Sequence, residues 1–185
     1  MTSTPAYSVH PTPIGEALIV VADGGLAFLD VLEVSLGAQE RHLELISMQL
    51  RASPVPDAGA TADVAVQLDE YFAGRRRAFE LALDLRDAAG FARRALDAVC
   101  TIPYGETASY GEVAIMAGAP GAHRAAGSVC ARTPISIVIP AHRVVRADGS
   151  IGEYGGHPER KRFLLDLEAD VAAGRSTPSP DSAPV

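Results

Sequence analysis

The chain has 185 residues, 48% apolar and 21% charged, ordinary proportions for a globular protein of one domain or two small ones. No apolar run reaches the roughly 18 residues that a membrane span needs, and two cysteines, Cys100 and Cys130, do not make a disulfide framework. The net charge of −7 argues against indiscriminate binding to polyanions.

The charge is unevenly spread. Residues 1–90 carry 6 basic and 13 acidic side chains, whereas residues 91–168 carry 9 and 8. Arg124, Arg132, Arg143 and Arg146 fall close together in the near-neutral half, which leaves room for a local phosphate-binding face. The N-terminus lacks the basic start and apolar core of a secretory signal, so a cytoplasmic location is expected.

In chain order, a short strand is expected at 7–9, ended by a turn over 11–15. Residues 16–33 hold two apolar runs around Asp23-Gly24-Gly25, a hairpin signal. Helices are expected over 37–50 and 62–73, the second from the spacing of Val64, Leu68, Tyr71 and Phe72. Arg75, Arg76 and Arg77 read as a solvated turn. Residues 79–85 alternate like a strand, and 87–90 are the expected domain joint. A helix over 91–100 follows. Helices over 107–117 and 122–131, with a glycine-containing turn between them, have the outline of a helix-turn-helix. Residues 135–140 read as a buried strand, 142–151 as irregular, and 158–170 as an amphipathic helix with Phe163, Leu164 and Leu167 on one face. The Gly-Ser-Thr-Pro-rich segment 171–185 is expected to be disordered.

Chemistry is concentrated in residues 101–168. The segment opens with Ile102-Pro103-Tyr104-Gly105-Glu106-Thr107, then Ser109-Tyr110-Gly111-Glu112, then Arg124-Ala125-Ala126-Gly127. It continues with Ile139-Pro140-Ala141-His142-Arg143-Val144-Val145-Arg146, Gly152-Glu153-Tyr154-Gly155-Gly156, and Leu164-Leu165-Asp166-Leu167-Glu168. In this order and spacing the chain resembles the O6-alkylguanine-DNA alkyltransferases, strongly over 91–168 and weakly but consistently over 1–90. The resemblance implies an α/β (α+β) chain. Residues 1–88 would be a small ribonuclease-H-like domain with an antiparallel sheet, and 89–170 a helical DNA-binding domain with the helix-turn-helix.

That family flips alkylated guanine out of duplex DNA and moves the alkyl group onto the cysteine of a Pro-Cys-His-Arg motif. Here the motif is Pro140-Ala141-His142-Arg143. A methyl side chain has no lone pair with which to attack an alkyl carbon. The chain therefore looks like an alkyltransferase-like protein, the subgroup that binds the lesion without repairing it and flags it for nucleotide excision repair. The family activity, methylated-DNA–protein-cysteine S-methyltransferase, is not expected.

By the same resemblance, His142 and Glu168 are remnants of the relay that ionises the cysteine. Arg124 replaces the flipped base in the stack, and Tyr110 crowds the neighbouring phosphate. Ala125, Ser128 and Ala131 are small residues that let the second helix approach the minor groove. Ala141, Val144, Tyr154, Gly155 and Gly156 surround the flipped guanine, with the Val144 backbone at its edge. Thr133 stands where the family has a bracing Asn. Cys130 is not expected to replace the missing acceptor, because nothing adjacent in sequence lowers its pKa. Residues 1–90 hold no cysteine and only His10 and His42, so no metal is expected, and no cofactor.

The expected partner is double-stranded DNA carrying alkylated guanine, together with nucleotide excision repair proteins; the chain is expected to be a monomer with no membrane partner. Two other readings compete. One is a methyltransferase whose acceptor cysteine was changed to Ala141. The other is a DNA-binding regulator with no lesion preference.

Overall fold

A computed structural model describes residues 4–33 and 35–175. The chain divides into two compact units, with the division between Asp84 and Leu85. No helix among the described residues is long and apolar enough to cross a membrane.

The first unit is built on a four-stranded sheet. Strands β1 (Ala6–Thr12), β2 (Gly15–Ala22) and β3 (Gly25–Val31) form an antiparallel meander. Strand β4 (Val55–Pro56) adds to the outer side of β1 in parallel, giving the order β3-β2-β1-β4. The expected hairpin is present between β2 and β3. Strand β1 is longer than the sequence suggested, running through Pro11, which pairs with Glu16.

Alternation along β1 decides what covers each face. Tyr7 and Val9 join Leu18 and Val20 in a cluster with Leu43, Ile46 and Leu50 of helix α1 (Ala38–Leu50). Ser8 and His10 point the other way. Ser8 Oγ meets Thr61 Oγ1 at 2.6 Å, and His10 meets Asp69 of helix α2 (Ala62–Phe72) at 2.8 Å. The two helices thus cover opposite faces, and residues 17–20 of β2 are buried on both.

The expected strand at 79–85 is not formed. Only Leu83 bridges Leu26, through Leu26 N–H to the Ala82 carbonyl and Asp84 N–H to the Leu26 carbonyl (both 2.8 Å). Gln67 holds the segment instead: its amide brackets the Glu80 backbone, accepting from N–H at 2.8 Å and donating to C=O at 3.3 Å. The alternation there records one edge of contact with a neighbour and not a ladder.

The second unit is mainly helical: α3 (Gly90–Cys100), α4 (Tyr110–Met116), α5 (His123–Ala131) and α6 (Pro158–Ala172). Helix α4 starts three residues later than expected. Ser109 caps it in a reciprocal box, its hydroxyl accepting from Glu112 N–H (3.2 Å) while the Glu112 carboxylate accepts from Ser109 N–H (2.6 Å). The residues before the cap, β5 (Ala108–Ser109), pair in parallel with β6 (Val144–Val145). Helices α4 and α5 pack together with α3 against both, and Arg94 of α3 donates to the Ala117 carbonyl at the end of α4 (2.9 Å).

Two further expectations are corrected. Residues 135–140 are buried except for the half-buried Val138, but they are not a strand. Val138 N–H turns back to the Ser136 carbonyl (2.8 Å) around Ile137, whose φ is +70°. Ala141 N–H then turns back to the Ile139 carbonyl (2.7 Å) around Pro140. These are successive three-residue turns, the first of the rare positive-φ form. Ile135, Ser136, Ile137, Ile139 and Pro140 are all buried, so a buried apolar run imitates a strand, although its one bridge, Ser136 to Ile139, lies within the segment itself. Helix α6 runs past Asp170 to Ala172, with Val171 buried, so the start of the expected tail is helical. Residues 176–185, the rest of that tail, lie outside the described residues.

Candidate functional site

The double turn delivers Ala141, His142 and Arg143 into a single turn of 3-10 helix against α6. All three are buried, and so is Glu168, which α6 presents to them. His142 Nε2 lies 2.9 Å from Glu168 Oε1. Arg143 grips the same carboxylate with two donors, Nε to Oε2 at 2.9 Å and Nη2 to Oε1 at 3.0 Å. Its third donor, Nη1, reaches the Ile102 carbonyl at 2.7 Å, and its guanidinium lies 5.5 Å from the centroid of the Tyr104 ring. Gly105 N–H completes the set by donating to Glu168 Oε2 at 3.0 Å. One buried carboxylate therefore ties the Pro140–Arg143 turn and the 102–105 loop to α6.

Electrostatics follow from this wiring. Burial pushes the Glu168 carboxyl upward, but the hydrogen bonds and charges of His142 and Arg143 outweigh it and hold the pKa down at about 2. Burial lowers the His142 pKa, more than Glu168 restores it. The imidazole is accordingly neutral, with Nε2–H donating to the carboxylate. The neighbouring Ala141 side chain carries no ionisable group.

Val144 follows the turn. Its N–H donates to the Ala141 carbonyl, and its carbonyl accepts from Lys161 Nζ at 2.6 Å. Lys161 is itself buried and lies 5.8 Å from the Tyr110 ring centroid. Tyr110, the first residue of α4, is half-buried, and desolvation raises its pKa. Its ring packs on Gly127 of α5, where an added Cβ would meet it at 3.8 Å. Tyr154 is half-buried, whereas Gly155 and Gly156 are exposed.

The structure thus brings Ala141, His142, Glu168 and Val144 together, with Tyr110 joined to Val144 through Lys161. Arg124, Ala125, Ser128 and Ala131 form a separate group, all exposed on α5, while Ala126 turns inward. Ala125, Ser128 and Ala131 therefore make an outward face, whereas Ala126 and Gly127 serve internal packing. Thr133 donates to the Val129 carbonyl (3.3 Å), so it caps the end of α5 and does not brace the following turn. Burial pushes the Cys130 thiol up to about 11, leaving it protonated at neutral pH and a poor nucleophile. Among the described residues, no group of three or more His, Cys, Asp or Glu side chains is placed to hold a metal ion.

Sequence reasoning missed three participants: the Arg143 fork, the Gly105 amide and Lys161. A signal for Lys161 existed. With Leu164 and Glu168 it falls at i, i+3 and i+7, so two charges occupy a stripe that faces inward.

Comparisons with known proteins agree with this architecture. Residues 6–85 match the ribonuclease-like domain, and residues 90–170 the DNA-binding domain, of 6-O-methylguanine DNA methyltransferase. A methylated-DNA–protein-cysteine methyltransferase of Mycobacterium bovis is 48% identical over 166 residues, covering 90% of this chain and 93% of its own. The corresponding protein of Methanosarcina barkeri is 35% identical over 88% of this chain and 96% of its own. The crystal structure of Mycobacterium tuberculosis OGT in complex with DNA superposes with a TM-score of 0.78 at 39% identity, covering 95% and 96% of the two chains. The sequence, the two units and their matches together show that the chain belongs to the O6-methylguanine DNA methyltransferase family, whose members bind and repair DNA.

Proposed function

We propose that this chain recognises O6-alkylguanine in duplex DNA, takes the flipped base into the pocket beside Ala141, and does not remove the alkyl group. The observation that carries the reading is a carbon where an acceptor sulfur belongs, inside a framework that is otherwise assembled. Glu168, His142 and Arg143 are joined at 2.9–3.0 Å around a residue that cannot react. The other two thiol-free requirements, a DNA-facing helix and a base wall, have candidates in the exposed face of α5 and in Val144, Tyr154, Gly155 and Gly156.

In this reading Arg124 fills the gap left by the flipped base, and Tyr110 turns the adjacent phosphate. Unstacking costs a few kcal/mol, and an inserted side chain offsets part of it. Minor-groove contact by Ala125, Ser128 and Ala131 suits a scanner of lesions, because that groove carries little sequence information. A bound but unrepaired lesion needs a second system, so the complex hands it to nucleotide excision repair proteins.

The test is binding of the full chain to methylated and plain duplexes at one salt concentration, followed by mass measurement of the protein. Preference for the methylated duplex with no added methyl group is expected; a methylated protein would end the no-transfer reading. Arg124→Ala is expected to lose most of the preference, and equal affinity of the wild-type chain for both duplexes would favour a regulator without lesion preference. A second reading, a transferase with its acceptor replaced, draws on the same assembled His142–Glu168 pair and on the names of its relatives. Stoichiometric demethylation by Ala141→Cys would favour it.

A further inference from the structure

The sequence places Arg124, Arg132, Arg143 and Arg146 close together, and three of the four have a task. Arg143 is buried on Glu168, and Arg132 donates to the Ser128 carbonyl at the end of α5 (3.2 Å). Arg124 fills the gap left by the flipped base in the proposed function. Arg146 is left over. It is exposed, and among the described residues its side chain forms no hydrogen bond or ion pair. Asp148 of the same turn feels its charge from beyond ion-pairing distance, and that carboxylate is held by the Ser150 N–H (2.9 Å) and hydroxyl (2.7 Å).

Position separates this arginine from an ordinary solvated one. Strands β5 and β6 pair in parallel, Ala108 opposite Val144 and Ser109 opposite Val145. The next residue of one strand is Tyr110 and of the other Arg146, so the two leave the end of the ladder side by side. Tyr110 enters α4, whereas Arg146 opens a turn fixed by two backbone bonds, Arg146 N–H to the Ser150 carbonyl and Gly149 N–H to the Arg146 carbonyl (both 2.9 Å). The chain then returns at Gly152, whose φ is +69°. A Cβ built there would lie 3.4 Å from the Tyr110 hydroxyl and 3.7 Å from both Cγ and Nε of Arg146. The phenol and the guanidinium stem therefore converge over one glycine. Burial raises the Tyr110 pKa, so its hydroxyl stays a donor at neutral pH.

We infer that Arg146 is a positioning residue that works with Tyr110, its guanidinium binding the DNA phosphate that Tyr110 turns as a nucleotide leaves the duplex, a role that rests on the base-flipping reading above. Such a phosphate carries one negative charge on two free oxygens. A phenol donates one hydrogen bond and carries no charge. The guanidinium adds the charge and two parallel donors that match the two oxygens. A phosphate meets this pair only when it is turned off the regular helical path, so Arg146 favours the flipped state over the intact duplex.

The experiment measures binding of the full chain, as wild type, Arg146→Gln and Arg146→Lys, to duplexes that carry guanine or O6-methylguanine. Arg146→Gln is expected to weaken binding of the methylguanine duplex roughly tenfold, the scale of a lost charge-assisted hydrogen bond, with little change for the plain duplex. Arg146→Lys keeps the charge and loses the fork, so it is expected to recover part of that loss. A methylphosphonate, which replaces a charged phosphate oxygen by a methyl group, is then placed in turn at each linkage flanking the methylguanine. At one of them the ratio of wild-type to Arg146→Gln affinity is expected to shrink toward one.

Equal binding of the two duplexes by the wild-type chain overturns the base-recognition reading and this inference with it. A wild-type chain that prefers methylguanine, beside an Arg146→Gln variant that weakens both duplexes alike or neither, overturns this inference alone. So does an affinity ratio that survives the methylphosphonate at both linkages. Arg146 has no side-chain hydrogen bond or ion pair to lose in the free protein, so thermal unfolding of the variant should match that of the wild type. If the variant does not fold, the wild-type chain decides alone. The salt slope of its binding to the methylguanine duplex should fall by about one when the methylphosphonate replaces the gripped phosphate, and an unchanged slope at both linkages overturns the proposal.

Discussion

The two units of this chain handle charge in opposite ways. In the first unit the core is apolar, the buried polar side chains among the described residues are the neutral Thr61 and Gln67, and the His10–Asp69 contact and the Arg76–Glu70 ion pair lie near the surface. In the second unit His142, Arg143, Lys161 and Glu168 are all buried. A sheet covered by two helices needs no charge to fix its arrangement, because strand register and alternation already do so. The second unit has short strands and irregular turns around Glu168. There a forked arginine on a central carboxylate supplies direction that apolar contact lacks. The difference teaches that the residues beside position 141 are structural in their own right. His142, Arg143 and Glu168 tie the Pro140–Arg143 turn and the 102–105 loop to α6, whatever stands at position 141.

The sharpest way to break the comparison is Glu168→Gln. It removes the charge that Arg143 grips and leaves a guanidinium buried without compensation, a change that costs about 3–5 kcal/mol. Hydrogen exchange read by mass spectrometry resolves the two units separately. Protection should collapse in the second unit, with the first unit nearly unchanged. An effect below 1 kcal/mol would mean that the buried charges are not structural.

Acid should have the next largest effect, and its sign is fixed by the direction of the shifts. The folded His142 pKa lies below its ordinary 6.5, and the folded Glu168 pKa is about 2 against an ordinary 4.5. In both cases the unfolded chain binds a proton that the folded chain refuses, so stability falls as pH drops. The loss in the second unit should begin near pH 6.5, from His142, and deepen from 4.5 toward 2, from Glu168. Denaturation at pH 7, 5.5 and 4 checks it, and a second unit equally stable at all three would contradict the ionic account.

Much of this was legible in the sequence, and the failures have a common physical cause. The β2–β3 hairpin was visible because Asp23-Gly24-Gly25 interrupts two apolar runs, and α2 because Val64, Leu68 and Tyr71 recur at helical spacing. The segment 79–85 was misread because alternation was taken for a strand, and 135–140 because a buried apolar run was. Alternation reports which side chains face inward, whereas a strand also requires a partner in register. Strands β4, β5 and β6 have two residues each, too few for any pattern. At the site, Ala141, His142 and Glu168 could be found because a motif marks them. Arg143 lies in the same motif but reads in one dimension as part of a phosphate-binding face, Lys161 looks like a solvated charge, and Gly105 like an ordinary turn residue. Their importance arises from contacts across 17 to 63 residues of sequence.

Gly105→Ala should have an intermediate effect. Gly105 has a φ of +78°, and a Cβ there would lie 2.9 Å from the Ala172 Cβ and 3.4 Å from the Glu168 carbonyl oxygen. The substitution meets both backbone strain and a close contact, about 1–3 kcal/mol together. It also pushes the Gly105 amide away from Glu168 Oε2, so destabilisation should be accompanied by a higher Glu168 pKa and an earlier onset of acid unfolding. Destabilisation with no change in the acid limb would mean that the amide bond contributes nothing to holding the carboxylate charged.

The smallest effect belongs to the first unit. Asp69→Asn removes the charge from the His10 pair, whose partners are 19% and 61% exposed at the side chain. Water screens such a pair and its side chains gain freedom when it is broken, so the cost should be at most about 1 kcal/mol. The amide oxygen of Asn can still accept from the imidazole, which reduces the loss further. High salt supplies an independent handle. Salt should weaken this exposed pair in the wild-type chain and leave the buried Glu168 cluster almost untouched, because screening acts on charges that solvent reaches. A first unit as sensitive to Asp69→Asn as the second is to Glu168→Gln would erase the contrast between them, since it would show that burial does not decide which ion pairs hold this protein together.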